Sequence, residues 1–124
     1  MPVTQKKKIL IADDDAAILD ALSFLLSSSG YDVETTLDGE MFKDFKKDLP
    51  DLILLDILMS GWDGGVICKD LKSRKETKHI PIILFSANRD TSKIAKEVGA
   101  DDYISKPFEI NDLLSKIKKL VHKK

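Results

Sequence analysis

The sequence predicts an α/β fold, a doubly wound sheet of five parallel strands. Two observations lead there. Short apolar runs alternate with longer amphipathic stretches along the whole chain, and the runs beginning at Lys8, Asp51 and Pro81 are continuously apolar rather than alternating. A strand that is apolar on both faces belongs in a sheet covered on both sides, which is the parallel case. Strands and helices in strict alternation then wind with right-handed crossovers.

The first strand is Lys8 to Ala12 (Lys-Ile-Leu-Ile-Ala). The helix after it places Ile18, Leu19, Leu22, Leu25 and Leu26 at helical spacing, and Gly30 closes it as a left-handed cap residue does. Tyr31 to Thr36 is a more polar strand and belongs at an edge, whereas the strands from Lys8, Asp51 and Pro81 are central. A short second helix is expected from Gly39 to Lys47, carrying Met41, Phe42 and Phe45, with Pro50 as its stop. The third strand runs from Asp51 to Leu55. The third helix, Gly64 to Ser73, carries Val66, Ile67 and Leu71, and Cys68 on it reads as core. The fourth strand is Pro81 to Phe85. Thr91 to Val98 is a short polar helix closed by Gly99. Asp102 to Ser105 is the fifth strand. Glu109 to His122 is the clearest helix, with Ile110, Leu113, Leu114, Ile117, Leu120 and Val121 as its stripe. Its acids, Glu109 and Asp112, come early and its lysines late, which suits the helix dipole.

With 124 residues the chain suits one domain, 1–124, large enough to build a core without staples. It is 43% hydrophobic and 33% charged with net charge -1, so no overall field argues for nucleic acid or a membrane. Cys68 is the single cysteine, so neither an internal disulfide nor a multi-cysteine metal site is possible, which fits a reducing, cytoplasmic compartment. No apolar run approaches the roughly 20 residues of a membrane helix. Met1 to Lys8 lacks the apolar stretch of a secretory signal and reads as a solvated entry to the first strand. His79 and His122 are expected at the surface.

In doubly wound sheets, ligands bind beyond the carboxyl ends of the strands. Past the first strand comes Asp13-Asp14-Asp15, past the third Asp56, past the fourth Ser86-Ala87 and past the fifth Lys106-Pro107. Several carboxylates gathered in one cleft repel one another unless a cation offsets them. Hard oxygen donors suit Mg²⁺ (or Mn²⁺), which keeps several waters and takes a phosphate as a further ligand. A carboxylate can attack phosphorus and carry the phosphoryl group as an acyl phosphate. The charge of the transition state then calls for a metal on one side and a lysine on the other. Asp56 is the candidate nucleophile, Lys106 the second electrophile and Ser86 a hydroxyl donor. Each alone has a plainer use. Acids before a helix are caps, Asp56 suits a turn, and Lys106 suits solvent. The weight lies in their arrival at the same end of four different strands.

These segments resemble the receiver domains of bacterial two-component response regulators. The resemblance runs from Ile9 to about Val121. It rests on Ile9-Leu10-Ile11-Ala12-Asp13-Asp14-Asp15, Leu52 to Met59, Ile82 to Ala87, Gly99-Ala100-Asp101-Asp102-Tyr103 and Lys106-Pro107-Phe108 in order and spacing. It implies a flavodoxin-like (βα)5 sheet of strand order 2-1-3-4-5. It implies Asp56 as phosphoacceptor, Asp14 touching Mg²⁺ directly, Asp13 acting through water and the Leu58 carbonyl as a further metal ligand. Asp15 falls outside the acidic pair and is read as a helix cap. The implied donor is a phosphohistidine on a sensor histidine kinase or histidine phosphotransfer protein. The domain would catalyse its own phosphorylation and dephosphorylation, as a switch rather than a conventional enzyme. Ser86 and Tyr103 hold the switch positions, where movement of the hydroxyl lets the aromatic ring turn inward and remodels the face of fourth helix, fifth strand and fifth helix.

The loop after Asp56 departs from the family's common Met-Pro-Gly-Met-Asp-Gly. It reads Met59-Ser60-Gly61-Trp62-Asp63-Gly64, and loss of proline at Ser60 implies a less rigid loop. Trp62 reads as loop packing near the rim and as a fluorescent reporter of metal. Leu58 and Asn88 flank the site, where side chains govern the approach of water.

Three other readings compete. A flavodoxin-like cofactor module needs a phosphate-cradling loop where Asp13-Asp14-Asp15 would repel phosphate. An aspartate-nucleophile phosphatase needs an acid where Leu58 stands. A phosphorylation-independent scaffold has no need of the retained acids and lysine. No segment reads as a DNA-binding or enzymatic output domain. The expected output is a protein contact without direct nucleic-acid or membrane binding, by a monomer or weak dimer, either stand-alone or one part of a larger regulator.

Overall fold

The structure is a computed structural model and describes residues 6–121. Two runs dominate its interior: Leu52–Asp56 (β3) and Ile82–Ser86 (β4) are buried at every position. Lys8–Ala12 (β1) is nearly as buried, whereas Asp32–Thr36 (β2) and Asp102–Ser105 (β5) are partly exposed. These five strands form one parallel sheet in the order β2-β1-β3-β4-β5, as the resemblance implied. The three apolar strands are central and Asp32–Thr36 lies at an edge, as expected from its polarity.

Successive side chains of a strand point to opposite faces, and the core divides accordingly. Leu10, Ala12, Ile53, Leu55, Ile82 and Leu84 face one layer, which includes Ile67, Cys68 and Leu71 of α2 (Gly64–Ser73) and Ala95 of α3 (Thr91–Val98). Ile9, Ile11, Leu52, Leu54, Ile83 and Phe85 face the other, built from α1 (Ala16–Ser28) and α4 (Ile110–Val121). Each fully buried leucine or isoleucine contributes about 1.5–3 kcal/mol relative to exposure. Cys68 is part of the first layer, and burial pushes its thiol up to about 12. His79 is exposed; His122, expected as the end of the last helix, lies outside the described residues. Among the described residues no helix is long and apolar enough to cross a membrane.

The caps follow the sequence. Asp15 Oδ1 accepts from the N–H groups of Ala17 and Ile18 at 3.0 and 3.4 Å, so Asp15 is the cap of α1. Gly30 and Gly99, at φ of 98° and 79°, follow the ends of α1 and α3 in the left-handed region that glycine tolerates.

Three features differ from expectation. The second helix, expected over Gly39–Lys47, is a 3-10 turn confined to Glu40–Asp44, so among the described residues the sheet is flanked by four α-helices rather than five. Buried Phe42 of this turn meets Phe45, just past its end, edge-on at 5.2 Å. Arg74 Nη1 donates to the Phe42 carbonyl at 2.7 Å and takes the acceptor that an α-helix would have used. Secondly, β3 and β4 each run one residue further than expected, so Asp56 and Ser86 are the last residues of their strands. The Asp56–Phe85 and Ser86–Ser105 pairings extend the ladders that far. Thirdly, Leu58–Met59 and Trp62–Asp63 pair as a small antiparallel hairpin that turns at Gly61, φ 74°. Asp63 then caps α2, its Oδ1 accepting from Gly65 and Val66 N–H at 2.8 and 3.2 Å.

Candidate functional site

A parallel sheet brings the carboxyl ends of β1, β3, β4 and β5 to one edge, and Asp13, Asp56, Ser86 and Lys106 stand at or just past those ends. Asp13 is buried. Its Oδ1 accepts from the Asp15 N–H at 2.9 Å and its Oδ2 from Lys106 Nζ at 2.9 Å. Asp56 is also buried; its Oδ1 accepts from the Leu58 N–H at 3.3 Å and its Oδ2 faces Lys106 Nζ at 3.5 Å. Asp14 is exposed, and its Oδ2 accepts both the main-chain N–H and the hydroxyl of Ser60, each at 2.9 Å. Lys106 is steadied from two further sides. Its N–H donates to the Ser86 carbonyl at 2.9 Å, and its ammonium lies 4.6 Å from the centre of the Phe85 ring.

Asp13, Asp14 and Asp56 each offer a carboxylate oxygen within 4.8 Å of the others. Three carboxylates facing one ammonium leave two negative charges uncompensated. An oxygen-only donor set with that charge fits a hard divalent cation such as Mg²⁺ and does not fit a soft metal. Burial pushes the Asp56 carboxyl above its ordinary range; Lys106 opposes this and Asp13 adds to it. The Asp14 carboxyl is held below its ordinary range, chiefly by the Ser60 hydroxyl and then by the Ser60 N–H.

The remaining residues named from the sequence sit around this centre. Ser86 is buried at the end of β4, where its Oγ accepts from the Asn88 N–H at 3.1 Å. Leu58 starts the hairpin with its side chain turned to solvent. Tyr103 stands apart from the acids on the outer side of β5, 37% exposed. Lys116 of α4 lies 5.8 Å from its ring centre and pairs with Asp102 at 3.1 Å. Sequence reasoning missed the role of Ser60. The missing proline was the available signal, and the structure shows that the serine gives the loop two hydrogen bonds to Asp14. It also missed Gly64, whose Cα side presses on the Asp56 carbonyl so closely that a Cβ would lie 1.9 Å from the oxygen.

Comparison with known proteins places this geometry. Residues 9–118 match the response regulator receiver domain family. The protein named "Probable transcriptional regulator ycf27" of Porphyridium aerugineum is 42% identical over 96% of this chain and 50% of its own length. The DNA-binding dual master transcriptional regulator RpaA of Synechocystis sp. is 37% identical over 94% of this chain and 49% of its own length. The chain thus spans about half the length of these curated relatives. Among solved structures, a CheY-like response regulator receiver domain protein from Methanospirillum hungatei superimposes with a TM-score of 0.86 at 31% identity, covering 96% of each chain. The chain belongs to the response regulator receiver domain family.

Proposed function

We propose that this chain is a phosphorylation-operated switch that accepts one phosphoryl group on Asp56. The observation that carries the reading is the Lys106 ammonium set between Asp13 and Asp56, at 2.9 and 3.5 Å, on the rim of a three-carboxylate cluster. The Asp56 carboxylate attacks phosphorus in line, the bond from phosphorus to the donor's imidazole nitrogen breaks, and the imidazole leaves with that electron pair. Asp13, Asp14, Asp56 and the Leu58 carbonyl would hold Mg²⁺ (or Mn²⁺), which supplies charge to the equatorial oxygens. Lys106 stays close enough to swing from the carboxylates to a phosphoryl oxygen, and Ser86 offers its hydroxyl from the next strand. Tyr103 starts outside, so inward rotation would empty part of the α3–β5–α4 face and change what binds there. The donor is a sensor histidine kinase or histidine phosphotransfer protein, and the output is a protein contact through that face. Direct contact with nucleic acid is not part of this reading, and the net charge of -1 supports its omission.

The test is incubation with a small acyl phosphate and Mg²⁺, read by intact mass. One phosphoryl group is expected on wild type and none on Asp56→Asn or in the presence of a chelator. Incorporation that persists in Asp56→Asn would sink the proposal. The exposed, apolar Leu58 cannot hold a water in line with the phosphoryl group. Leu58→Asn is therefore expected to lose its phosphate several-fold faster. An unchanged time course of phosphate release would refute that role.

A further inference from the structure

We propose that Ser60 is a latch that competes with the divalent cation for Asp14, so that ion binding frees the turn of the hairpin at Ser60–Gly61 while Leu58 stays beside the ion. The proposal rests on the metal reading above and goes beyond it. A carboxylate oxygen has two in-plane lone pairs. Asp14 Oδ2 already accepts from two donors of one residue, the N–H and the hydroxyl of Ser60, each at 2.9 Å. An ion that takes this oxygen must displace at least one of them. The three acids differ in this respect. Asp13 and Asp56 are buried and share Lys106; each also accepts the N–H of the residue two further along the chain, Asp15 and Leu58 respectively. Asp14 is exposed and held by the hairpin, across 46 residues of sequence. Its release is also the least costly, because Ser60 is exposed and water replaces Asp14 as its acceptor.

The hairpin is built to pass such a release on. It has two residue pairs, Leu58 with Asp63 and Met59 with Trp62, joined through Gly61. Trp62 lies against Gly39, where a Cβ would come within 2.6 Å of the indole, and Lys43 of the 3-10 turn sits 5.5 Å from its ring centre. Freedom at Ser60 therefore reaches the chain's single tryptophan and the segment beside β2.

Two substitutions separate the donors. Ser60→Ala removes the hydroxyl and keeps the N–H; Ser60→Pro removes both. Binding is measured with Mn²⁺, by the paramagnetic signal of the free ion, and with Mg²⁺, by Trp62 emission. Ser60→Ala is expected to bind about threefold tighter than wild type and Ser60→Pro about tenfold tighter. Ion-free Ser60→Pro should already show the emission of ion-loaded wild type. Equal or weaker binding by Ser60→Ala overturns the latch, and this variant decides alone if the proline variant does not fold. Wild type that binds neither ion sinks the metal reading itself, and the latch with it. Wild type that binds while the variants gain nothing removes the latch only.

Discussion

Replacing Gly64 with alanine is expected to remove about 3 kcal/mol of stability, the upper range for overpacking a rigid site. The backbone of Gly64 is not in the left-handed region, so the requirement is one of space. A Cβ there would meet the Asp56 carbonyl oxygen at 1.9 Å, the Asp56 carbonyl carbon at 2.8 Å and Ile57 Cα at 2.9 Å. All three are main chain, and a flexible side chain cannot turn away to relieve them. The Gly64 N–H also donates to the Ile57 carbonyl at 2.7 Å, which draws the start of α2 down onto the end of β3. Alanine has to pry the helix from the strand at Asp56, the proposed nucleophile. Gly65→Ala is the control. Its Cβ would lie 3.1 Å from Asp63 Oδ1 and 3.4 Å from Ile94 Cγ2, both side-chain atoms, and alanine's better helix propensity offsets the crowding. Urea denaturation should show a much lower midpoint for Gly64→Ala and a small shift of either sign for Gly65→Ala. Equal midpoints would contradict the close approach. The folded fraction of Gly64→Ala should also accept phosphate more slowly.

Removing the Lys106 ammonium, as in Lys106→Met, is expected to slow phosphoryl transfer by about a hundredfold or more, the usual effect of deleting one preorganised charge donor. The same change should destabilise the metal-free protein by on the order of 3 kcal/mol at neutral pH, because Asp13 and Asp56 are left buried with no counter-charge. The sign of the pH dependence follows from Asp56. Burial already raises its carboxyl, and Lys106 is the main force holding it down. Without the lysine the folded state holds the proton more tightly than the unfolded chain does. Stability therefore increases as pH falls through the raised value and is lost as pH rises past it. Mg²⁺ should restore the variant at neutral pH and should bind it more tightly than wild type, since the ammonium no longer occupies Asp13 and Asp56. Thermal melts at pH 5 and 7, with and without Mg²⁺, check this. A variant whose melts match wild type in all four conditions would show that the acids do not depend on Lys106.

Much of this arrangement is legible in the residues. Continuous apolar runs such as Ile82–Phe85 tell of a strand buried on both sides, and parallel strands place their carboxyl ends together, so Asp13, Asp56 and Lys106 meet from far apart in sequence. The 3-10 turn was not legible. Met41, Phe42 and Phe45 satisfy a helical pattern, and the deciding contact is made by Arg74, a residue remote in sequence and close only in the fold. The hairpin was not legible either, because two residue pairs carry too little pattern to register. Ser60 shows a different gap. A missing proline is visible as a change in stiffness, but the partner that its N–H gains depends on where Asp14 lies in space.

The pairing of Lys106 with Asp13 spans 93 positions along the chain. Closing so long a loop is slow and entropically unfavourable until the intervening strands have docked. A ribosome-bound or clipped molecule that lacks its last third therefore has acids without their counter-charge. The site is complete only with the finished sheet, because its acids and its ammonium come from opposite ends of the chain.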